Sequence, residues 1–406
     1  MKRLAYKFRL KPHARQRKKL HQFAGCARFV YNKALSLEQE QYKQTKKMLG
    51  YNKIAKLLVG WKRTAEFGFL KNTHSQILQQ KLQDLYTGFD NFFAHRADHP
   101  RYKKKGLHDS FRYPQGFKID EAGKRIYLPK IGHIAYYQSR LITGTPKNIT
   151  VSYSAGHWYC SIQTEQEQII AQHPSASIIG IDVGIARFAT LSDGTIIEPI
   201  NSLRSSQNKI KRLQRSVSRK KKGSFNRKKA LRKLIKIHQR IAYKRHDYLH
   251  KITTTISKNH ARVVIEDLQI TNMSASARGT RDNPGKNIKA KAGLNTSILD
   301  QAWHEFRRQL VYKLAWDGGE LILVPAHRTS QTCSSCGFVH ADNRKTQQSF
   351  LCLQCGYDEN ADLNAAKNIL SAGIHAGKLT AAGHAVIACG EKAIGRSLKQ
   401  EPIPSA

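Results

Sequence analysis

Two closely spaced pairs of cysteines constrain the fold of this chain more than any other feature of its sequence. Cys333 and Cys336 have two residues between them, Cys352 and Cys355 repeat this spacing, and 15 residues separate the two pairs. Four thiolates in this pattern can surround one Zn²⁺ tetrahedrally, with Zn–S distances of about 2.3 Å. Because thiolates fill all four ligand positions, we expect a structural zinc and not a catalytic one.

The remaining cysteines and the N-terminus predict a cytoplasmic protein. Cys26, Cys160 and Cys389 are isolated, which argues against a disulfide framework and for a reducing compartment. The first residues, MKRLAYKFRLKPHARQRKK, lack the apolar core of a signal peptide. No stretch reaches the roughly 18 to 20 apolar residues that cross a bilayer, so we expect no insertion into a membrane.

The charge of the chain predicts a polyanionic partner. Lys and Arg number 70 against 28 Asp and Glu, which gives a formal net charge of +42. A compact state with this charge would repel itself unless phosphates neutralised it, and nucleic acid is the usual partner of this kind. A membrane surface is the rival interpretation. It fits less well because the basic residues are spread along the whole chain instead of lying beside an amphipathic anchor.

Hydrophobic patterns predict several structural units. The 406 residues exceed the usual size of one hydrophobic core. Residues 2–10 alternate apolar and polar side chains like a strand, and apolar residues recur at helical spacing within 16–47 and 73–93. Residues 117–164 contain short strands, typical of a small β-barrel or sandwich. The N-terminal strand is too short to stand alone, so we expect it to pair into this later β unit.

Two basic regions are candidates for contact with nucleic acid. Residues 99–117 mix Arg and Lys with Tyr and Phe, which suits phosphates and stacked bases but would equally suit a solvated loop with two anchoring aromatics. Residues 204–250 predict two basic helices that break near Gly223. Their excess of one charge favours contact with an anion over a purely solvated surface. One narrow apolar seam is predicted in this hairpin, formed by Leu231, Leu234, Ile235 and Ile241.

Three acidic residues at the ends of apolar elements are candidate catalytic groups. Asp182 ends the strand SIIGID, Glu266 ends the strand RVVIE, and Asp362 opens the helical segment DLNAAKNIL. Period two places Glu266 and Asp267 on opposite faces of their strand, so only one of them can point into a shared site. Each acid alone also has a plainer explanation, as a turn former, a strand-ending carboxylate or a helix N-cap.

Together the three carboxylates predict a site for two Mg²⁺ ions. Two ions about 3.5 to 4 Å apart, held by carboxylate oxygens, can activate a water and stabilise the leaving oxygen of a phosphodiester. In this arrangement Asp182 bridges the ions, while Glu266 and Asp362 complete one side each. We therefore expect a nuclease that hydrolyses DNA or RNA.

Five sequence motifs, in this order, resemble those of a known family. The phrases GIDVGIARFATLSDG, VVIEDLQI, RTSQTCSSCGF, CLQCGY and NADLNAAKNIL are similar to the successive motifs of TnpB (OrfB) proteins of bacterial insertion sequences. The similarity extends to FRLKP and GCARFVYNKAL near the start and to CGEKAIGRSLKQEP near the end. The resemblance therefore covers nearly the whole chain.

The resemblance implies a multidomain α/β fold. An RNase H-like (RuvC-type) nuclease domain with an inserted zinc ribbon is expected, together with an N-terminal β-barrel wedge and a helical recognition lobe. The implied boundaries are 1–10 and 117–168 for the wedge, 11–116 for the recognition lobe, 169–327 for the nuclease domain with its basic hairpin 204–250, 328–358 for the zinc ribbon, 359–372 for the closing nuclease helix and 373–406 for a flexible C-terminal tail.

The resemblance also implies an activity and its partners. Members of the family are RNA-guided DNA endonucleases, so a guide RNA and a double-stranded DNA target are expected, with one protein monomer per guide. Base pairing with the guide would read the target sequence, while the protein supplies charge and shape. Carried over residue by residue, the catalytic acids are Asp182, Glu266 and Asp362, and the zinc ligands are Cys333, Cys336, Cys352 and Cys355.

Three points stay open at the level of sequence. Arg328, just before the first cysteine pair, is a candidate for contact with the scissile phosphate, although a solvated arginine is the plainer interpretation. A transposase that performs strand transfer would use the same three acids. A regulator that binds DNA under RNA guidance without cutting it is a further alternative, which loss of any one acid would favour.

Overall fold

The computed structural model describes residues 2–167 and 172–380 of the chain, and it describes side chains up to residue 375. The predicted linker around 168–171 and the CGEKAIGRSLKQEP motif of the predicted tail therefore lie outside the described residues. Two compact units are present, Met1–Ile169 with Ile210–Gln239, and Ile170–Lys209 with Arg240–Ala406. None of the described helices is long and apolar enough to cross a membrane.

The first unit is built on an antiparallel sheet of seven strands. Its strands are β1 (Lys2–Lys11), β2 (Ser110–Tyr113), β3 (Lys118–Asp120), β4 (Arg125–Leu128), β5 (Gly132–Tyr137), β6 (Thr145–Ser154) and β7 (His157–Gln166), in the order β2-β6-β7-β1-β5-β4-β3. β1 pairs with both β5 and β7, which confirms that the N-terminal strand joins the later β unit. Alternate residues of β1, namely Tyr6, Phe8 and Leu10, enter the core, as period two requires.

The sheet begins earlier than the sequence predicted. Strand β2 pairs with β6 and lies inside the range 11–116 that was assigned to the helical lobe. Its Phe111 and Tyr113 are 1% and 0% exposed, so the strand has a buried face. Because Lys and Arg surround these two aromatic residues, the basic composition concealed the short period-two pattern.

Three helices complete the N-terminal part of this unit. They are α1 (Ala14–Thr45), α2 (Tyr51–Arg63) and α3 (Ser75–Phe93), with a short 3-10 helix at Gly68–Asn72. Leu78, Leu82 and Leu85 of α3 are fully buried in their own hydrophobic cluster, which the helical spacing of these leucines predicted.

The basic hairpin consists of α4 (Ser202–Ser218) and α5 (Phe225–Asn259), and the chain breaks between them where the sequence placed the break, with Gly223 at a φ of 87°. Its predicted apolar seam is partly wrong, because Leu231 and Ile235 are exposed. Residues 210–239 belong to the first unit, although the sequence assigned all of 204–250 to the nuclease domain. The apolar residues that the hairpin buries are Ile210, Val217, Ala230, Ile241, Leu249 and Ile256.

The second unit contains a mixed sheet of five strands. They are β8 (Ile178–Val183), β9 (Ala189–Leu191), β10 (Ile196–Ile197), β11 (Arg262–Glu266) and β12 (Glu320–Val324), in the order β10-β9-β8-β11-β12. Strand β9 pairs antiparallel with both β10 and β8, whereas β8, β11 and β12 run parallel to one another. Continuous apolar runs such as RVVIE suit parallel strands that are covered on both faces. The whole chain is thus a multidomain α/β protein.

The second unit also contains helices and a small hairpin. The helices are α6 (Ile270–Met273), α7 (Ile288–Gln301), α8 (Trp303–Asp317) and α9 (Ala361–Thr380), and a 3-10 helix at Ala341–Asn343 precedes the hairpin of β13 (Ser349–Leu351) and β14 (Asp358–Asn360). Helix α9 extends eight residues beyond the predicted end of the closing helix at residue 372, so the segment 373–380 is helical and not part of a tail. At Gly373 a Cβ atom would lie 2.4 Å from Val264 Cγ2, so the extension packs on β11.

Candidate active site

Asp182 and Glu266 lie at the ends of neighbouring parallel strands. Strands β8 and β11 pair through Ile181 and Ile265, and the two acids are the next residues of each strand. Neighbouring strands lie about 4.8 Å apart, and residues at equivalent register face the same side of the sheet. The two carboxylates therefore share one face and one edge. Asp182 itself pairs with Thr190 of β9, so it is a strand residue and not a turn former.

Asp362 reaches this edge on helix α9. The helix crosses β8 at Gly180, where a Cβ atom would lie 2.3 Å from the backbone oxygen of Ala366. Asp362 precedes Ala366 by one helical turn, and Asp182 follows Gly180 by two strand residues. Only a residue without a side chain permits this close approach, and the approach carries the first turn of α9 to the strand end.

The N-cap explanation for Asp362 does not hold. Asn360 caps α9, because its Oδ1 accepts hydrogen bonds from the backbone N–H groups of Asp362 and Leu363 at 3.2 and 3.3 Å. The carboxylate of Asp362 instead accepts a hydrogen bond from the Arg344 guanidinium at 3.1 Å. With capping assigned to another residue, the Asp362 side chain remains available to a site.

Burial and the two other acids affect the ionisation of Asp182. Burial, followed by the carboxylates of Glu266 and Asp362, raises the pKa of Asp182 to about 7, against the opposing effect of Arg344. Burial also raises the pKa of Glu266, while a hydrogen bond from Thr329 opposes that rise. Carboxylates gathered in a poorly hydrated place disfavour their own ionisation unless a cation neutralises them. This arrangement is therefore suited to bind divalent cations.

Glu266 and Asp267 have different surroundings, as period two predicted. The Thr329 hydroxyl donates to Glu266 Oε1 at 2.5 Å. Asp267 forms an ion pair with Arg307 of α8 at 2.5 Å. Of the two adjacent acids, Glu266 is therefore the one near Asp182.

Sequence reasoning missed several residues that hold this site. Thr329 and Arg344 each contact a candidate catalytic carboxylate, and both lie in the range 328–358 assigned to the zinc ribbon. One signal could have found the residues on and next to α9 that hold the chain around Thr329, because asparagine recurs at intervals of four in NADLNAAKN and is unfavourable inside helices. The asparagines in this row are Asn360, Asn364 and Asn368.

Arg328 has an exposed side chain and a distinctive backbone. Its φ is 58°, in the left-handed region that residues other than glycine rarely adopt. Its carbonyl oxygen accepts hydrogen bonds from Gln331 N at 2.9 Å and from Thr332 N and Oγ1 at 3.0 and 2.8 Å. The backbone of Arg328 therefore stabilises a turn.

The four cysteines of the two pairs form one cluster. Their sulfur atoms all lie within 4.8 Å of one another. Cys333 Sγ is 3.7 Å from Cys355 Sγ, and Cys336 Sγ is 3.6 Å from Cys352 Sγ. A tetrahedron with Zn–S distances of about 2.3 Å has edges of about 3.8 Å, so the donors and their spacing fit zinc. Within 2–167 and 172–380, this is the one set of three or more His, Cys, Asp or Glu residues whose ligand atoms are so close.

Comparison with protein families gives three matches along the chain. A model of insertion-sequence OrfB proteins, described as "Probable transposase", matches residues 161–277. A model described as "Cas12f1-like, TNB domain" matches residues 303–369, which include the cysteine cluster and Asp362. A model described as "Helix-turn-helix domain" matches residues 1–47. In this structure, the described part of that last range forms strand β1 and the single long helix α1.

Two relatives are similar over almost their whole length. A protein of Escherichia coli (strain K12) named "Putative RNA-guided DNA endonuclease InsQ" is 52% identical over 404 residues, which cover 99% of this chain and 98% of that protein. A protein of Streptomyces pristinaespiralis named "Putative RNA-guided DNA endonuclease" is 35% identical over 98% of this chain and 96% of its own length.

A solved structure of similar fold supports this comparison. It is titled "Cryo-EM structure of the Cas12f1-sgRNA-target DNA complex" and aligns with a TM-score of 0.55 at 15% identity, covering 86% of this chain and 81% of that chain. At this identity the similarity concerns the fold alone.

Proposed function

Because the chain belongs to the TnpB (OrfB) family of insertion-sequence proteins, we propose that it is an RNA-guided DNA endonuclease with Asp182, Glu266 and Asp362 as its catalytic residues. The observation that carries this assignment is that β8, β11 and the first turn of α9 meet at one edge of the five-stranded sheet. Asp182, Glu266 and Asp362 come from these three elements, which are far apart in sequence, and burial together with the charges of Glu266 and Asp362 raises the pKa of Asp182 to about 7. A cation site is the simplest use of such a group.

The proposed reaction is hydrolysis of a phosphodiester by a two-metal mechanism. Bound Mg²⁺ would lower the pKa of the attacking water and stabilise the charge on the leaving oxygen. Asp182, whose pKa responds to both other acids, would bridge two ions, with Glu266 and Asp362 completing one side each.

Two arginines are candidates for contact with the scissile phosphate. Arg344 is the better supported, because its guanidinium already lies 3.1 Å from Asp362 and stays 23% exposed. Arg328 remains a candidate through its exposed side chain. Replacing Arg328 by Gly would remove the guanidinium but suit the left-handed backbone. We expect a smaller loss of cleavage rate for Arg328→Gly than for Arg344→Ala, measured at saturating DNA.

We assign the four cysteines to a structural zinc. Their thiolates leave no open ligand position, which supports a role in folding instead of in the reaction. The four cysteines are free thiols at the spacing of metal ligands and form no disulfide. Free thiols are typical of a reducing compartment, which supports the expected cytoplasmic location. Zinc would then hold the segment that supplies Thr329 and Arg344 to the acids.

A guide RNA and a double-stranded DNA target are the proposed partners. The names of the E. coli and Streptomyces relatives support both, and the net charge of +42 supports a partner rich in phosphate. We propose that the antiparallel sheet of the first unit is the wedge, that α1 to α3 form the recognition lobe, and that one monomer acts per guide.

Cleavage assays with matched variants test the active site. Protein purified with its guide RNA is given a DNA duplex that carries the matching target, in the presence of Mg²⁺. Asp182→Ala and Glu266→Ala should each lower the cleavage rate roughly 10³-fold, since each removes a metal ligand, while DNA binding persists.

Asp267→Ala is the control for Glu266→Ala. It removes a carboxylate from the adjacent position, whose exposed ion pair with Arg307 contributes only about 0 to 1 kcal/mol to stability. Cleavage near the wild-type rate is expected for this variant. Retained cleavage in Asp182→Ala, or an equal loss in Asp267→Ala, would refute the assigned site.

Strand transfer is a second candidate activity, favoured by the description "Probable transposase" of the matching family model. The same carboxylates could serve either reaction, so geometry does not separate them. Analysis of the DNA products does, because strand transfer joins a liberated 3′ end to a second duplex whereas hydrolysis leaves unjoined ends. We expect unjoined ends.

A further inference from the structure

The segment that joins β12 to the first cysteine pair forms a firmly hydrogen-bonded turn. As described above, the Arg328 carbonyl accepts three hydrogen bonds, two of them from Thr332. Thr329 follows Arg328 directly, so its position is fixed by this turn. The turn leads into Cys333, which places it between the metal-binding cluster and the catalytic edge of the sheet.

Two asparagines of α9 hold the turn by its backbone. Asn368 Nδ2 donates to the carbonyl oxygens of Thr329 at 2.9 Å and Thr332 at 2.6 Å. Asn364, which is fully buried, donates to Thr332 O at 2.8 Å and accepts from Ser334 N at 2.9 Å. A buried amide such as that of Asn364 is costly to lose when it satisfies backbone groups, and both asparagines fix the turn to the helix that carries Asp362.

The side chain of Thr329 then reaches a catalytic acid. Its hydroxyl donates a hydrogen bond to Glu266 Oε1 at 2.5 Å. A carboxylate has two oxygens, so a donor that fixes one of them also directs the other. Oε2 of Glu266 is the oxygen that this contact leaves for a metal ion.

We propose that Thr329, held by Asn368, is a positioning residue for Glu266 and thereby sets the affinity of the active site for its divalent ions. This inference rests on the proposed function. Helix α9 would then orient two ligands at once, Asp362 directly and Glu266 through the turn. Outer contacts that orient a metal ligand typically change metal affinity by 10- to 100-fold.

Three variants separate this role from ordinary packing. Thr329→Val keeps the shape of the side chain and removes the donor, whereas Thr329→Ser keeps the donor. Thr332→Val is the matched control, because it removes a hydroxyl from the same turn whose partner is the Arg328 carbonyl and not a catalytic acid. Mn²⁺ serves as the probe ion, and its affinity for the zinc-loaded protein without DNA is measured by titration calorimetry.

Thr329→Val should weaken Mn²⁺ binding by about 10- to 100-fold, and Thr329→Ser should restore most of it. Thr332→Val should bind Mn²⁺ within about threefold of the wild type. Wild-type affinity in Thr329→Val, an equal loss in Thr332→Val, or failure of Thr329→Ser to restore binding would each overturn the proposal.

A double-mutant cycle keeps the proposal testable if Thr329→Val also loses stability. Should Thr329 act through Glu266, then Thr329→Val made in a Glu266→Gln background will weaken Mn²⁺ binding no further. Additive losses would overturn the proposal. A different variant tests the proposed function itself, which is refuted if Asp182→Ala binds Mn²⁺ and cuts DNA like the wild type. If Asp182→Ala is inactive while Thr329→Val is normal, only the role of Thr329 is wrong.

Discussion

Asp182 couples the proposed metal site to pH. Burial and the neighbouring carboxylates raise the pKa of Asp182 to about 7, and burial also raises that of Glu266. Below pH 7 the metal-free protein therefore keeps a proton on Asp182 that a divalent ion must displace. Above pH 7 the carboxylate is ionised before the ion arrives.

Mg²⁺ affinity should consequently fall as the pH decreases. We expect a loss approaching tenfold per pH unit below about 7 and little change above it, as release of one proton requires. Calorimetric titrations at several pH values between about 5.5 and 8.5 measure this dependence. Asp182→Asn, which has no proton to release, should show a flatter profile, and a wild-type affinity independent of pH would contradict the assignment.

At the scale of elements, the packing of α9 on β8 decides where Asp362 lies. A side chain at residue 180 would place its Cβ 2.3 Å from Ala366 O and 2.7 Å from Leu370 N, and both are backbone atoms that cannot turn aside. Gly180→Ala should thus push the helix off the strand. We expect a loss of about 1 to 3 kcal/mol in the free energy of unfolding and a loss of cleavage larger than any loss of DNA binding.

Gly293→Ala is the control for this prediction. Gly293 lies within α7, and a Cβ there would meet no atom within 4 Å. Alanine in a helix is favoured over glycine by about 1 kcal/mol, so this variant should be at least as stable as the wild type. Denaturant unfolding and cleavage kinetics compare the two variants. Wild-type stability and cleavage in Gly180→Ala would show that the packing of α9 on β8 does not depend on glycine at this position.

The cysteine cluster belongs to the same scale, because its metal should support the turn and the loop that contact Glu266 and Asp362. Cys352→Ser, or removal of zinc by a chelator, should lower the melting temperature and abolish cleavage, since the binding free energy of a structural zinc contributes to folding. Added zinc should restore the chelated wild type but not Cys352→Ser. Normal cleavage by metal-free protein would exclude this role.

Sequence alone predicted the elements with strong periodicity and missed those defined by contacts between distant residues. The apolar runs around Asp182 and Glu266 predicted buried strands, and the alternation of β1 predicted its pairing. Strand β2 was missed because four residues with Lys and Arg nearby give too short a pattern. Thr329 and Arg344 were missed for a different reason, since their partners lie 63 and 18 residues away and no local rule selects them.

At the scale of the whole molecule, charge is the dominant property. With 70 basic and 28 acidic residues, most cations have no acidic partner available. The basic hairpin concentrates this excess. Lys221 and Lys222 at its tip are exposed, and neither forms an ion pair with any residue in the described part of the chain. Such lysines are available to phosphates, and each phosphate that they neutralise would release a condensed counterion.

Binding of guide RNA should therefore weaken steeply as salt concentration rises. Replacing both Lys221 and Lys222 by Gln should make the plot of log affinity against log salt concentration less steep. The slope should change by about 1.4 to 1.8, because each phosphate that a lysine no longer neutralises accounts for about 0.7 to 0.9. Lys251→Gln is the control, because Lys251 already pairs with Asp247 at 2.8 Å and should change the slope little. Affinities measured from about 50 to 400 mM salt give the slopes. A wild-type affinity that does not respond to salt would remove the electrostatic reason for the composition of this protein, and an unchanged slope in the double variant would assign the neutralisation of phosphates to other cations.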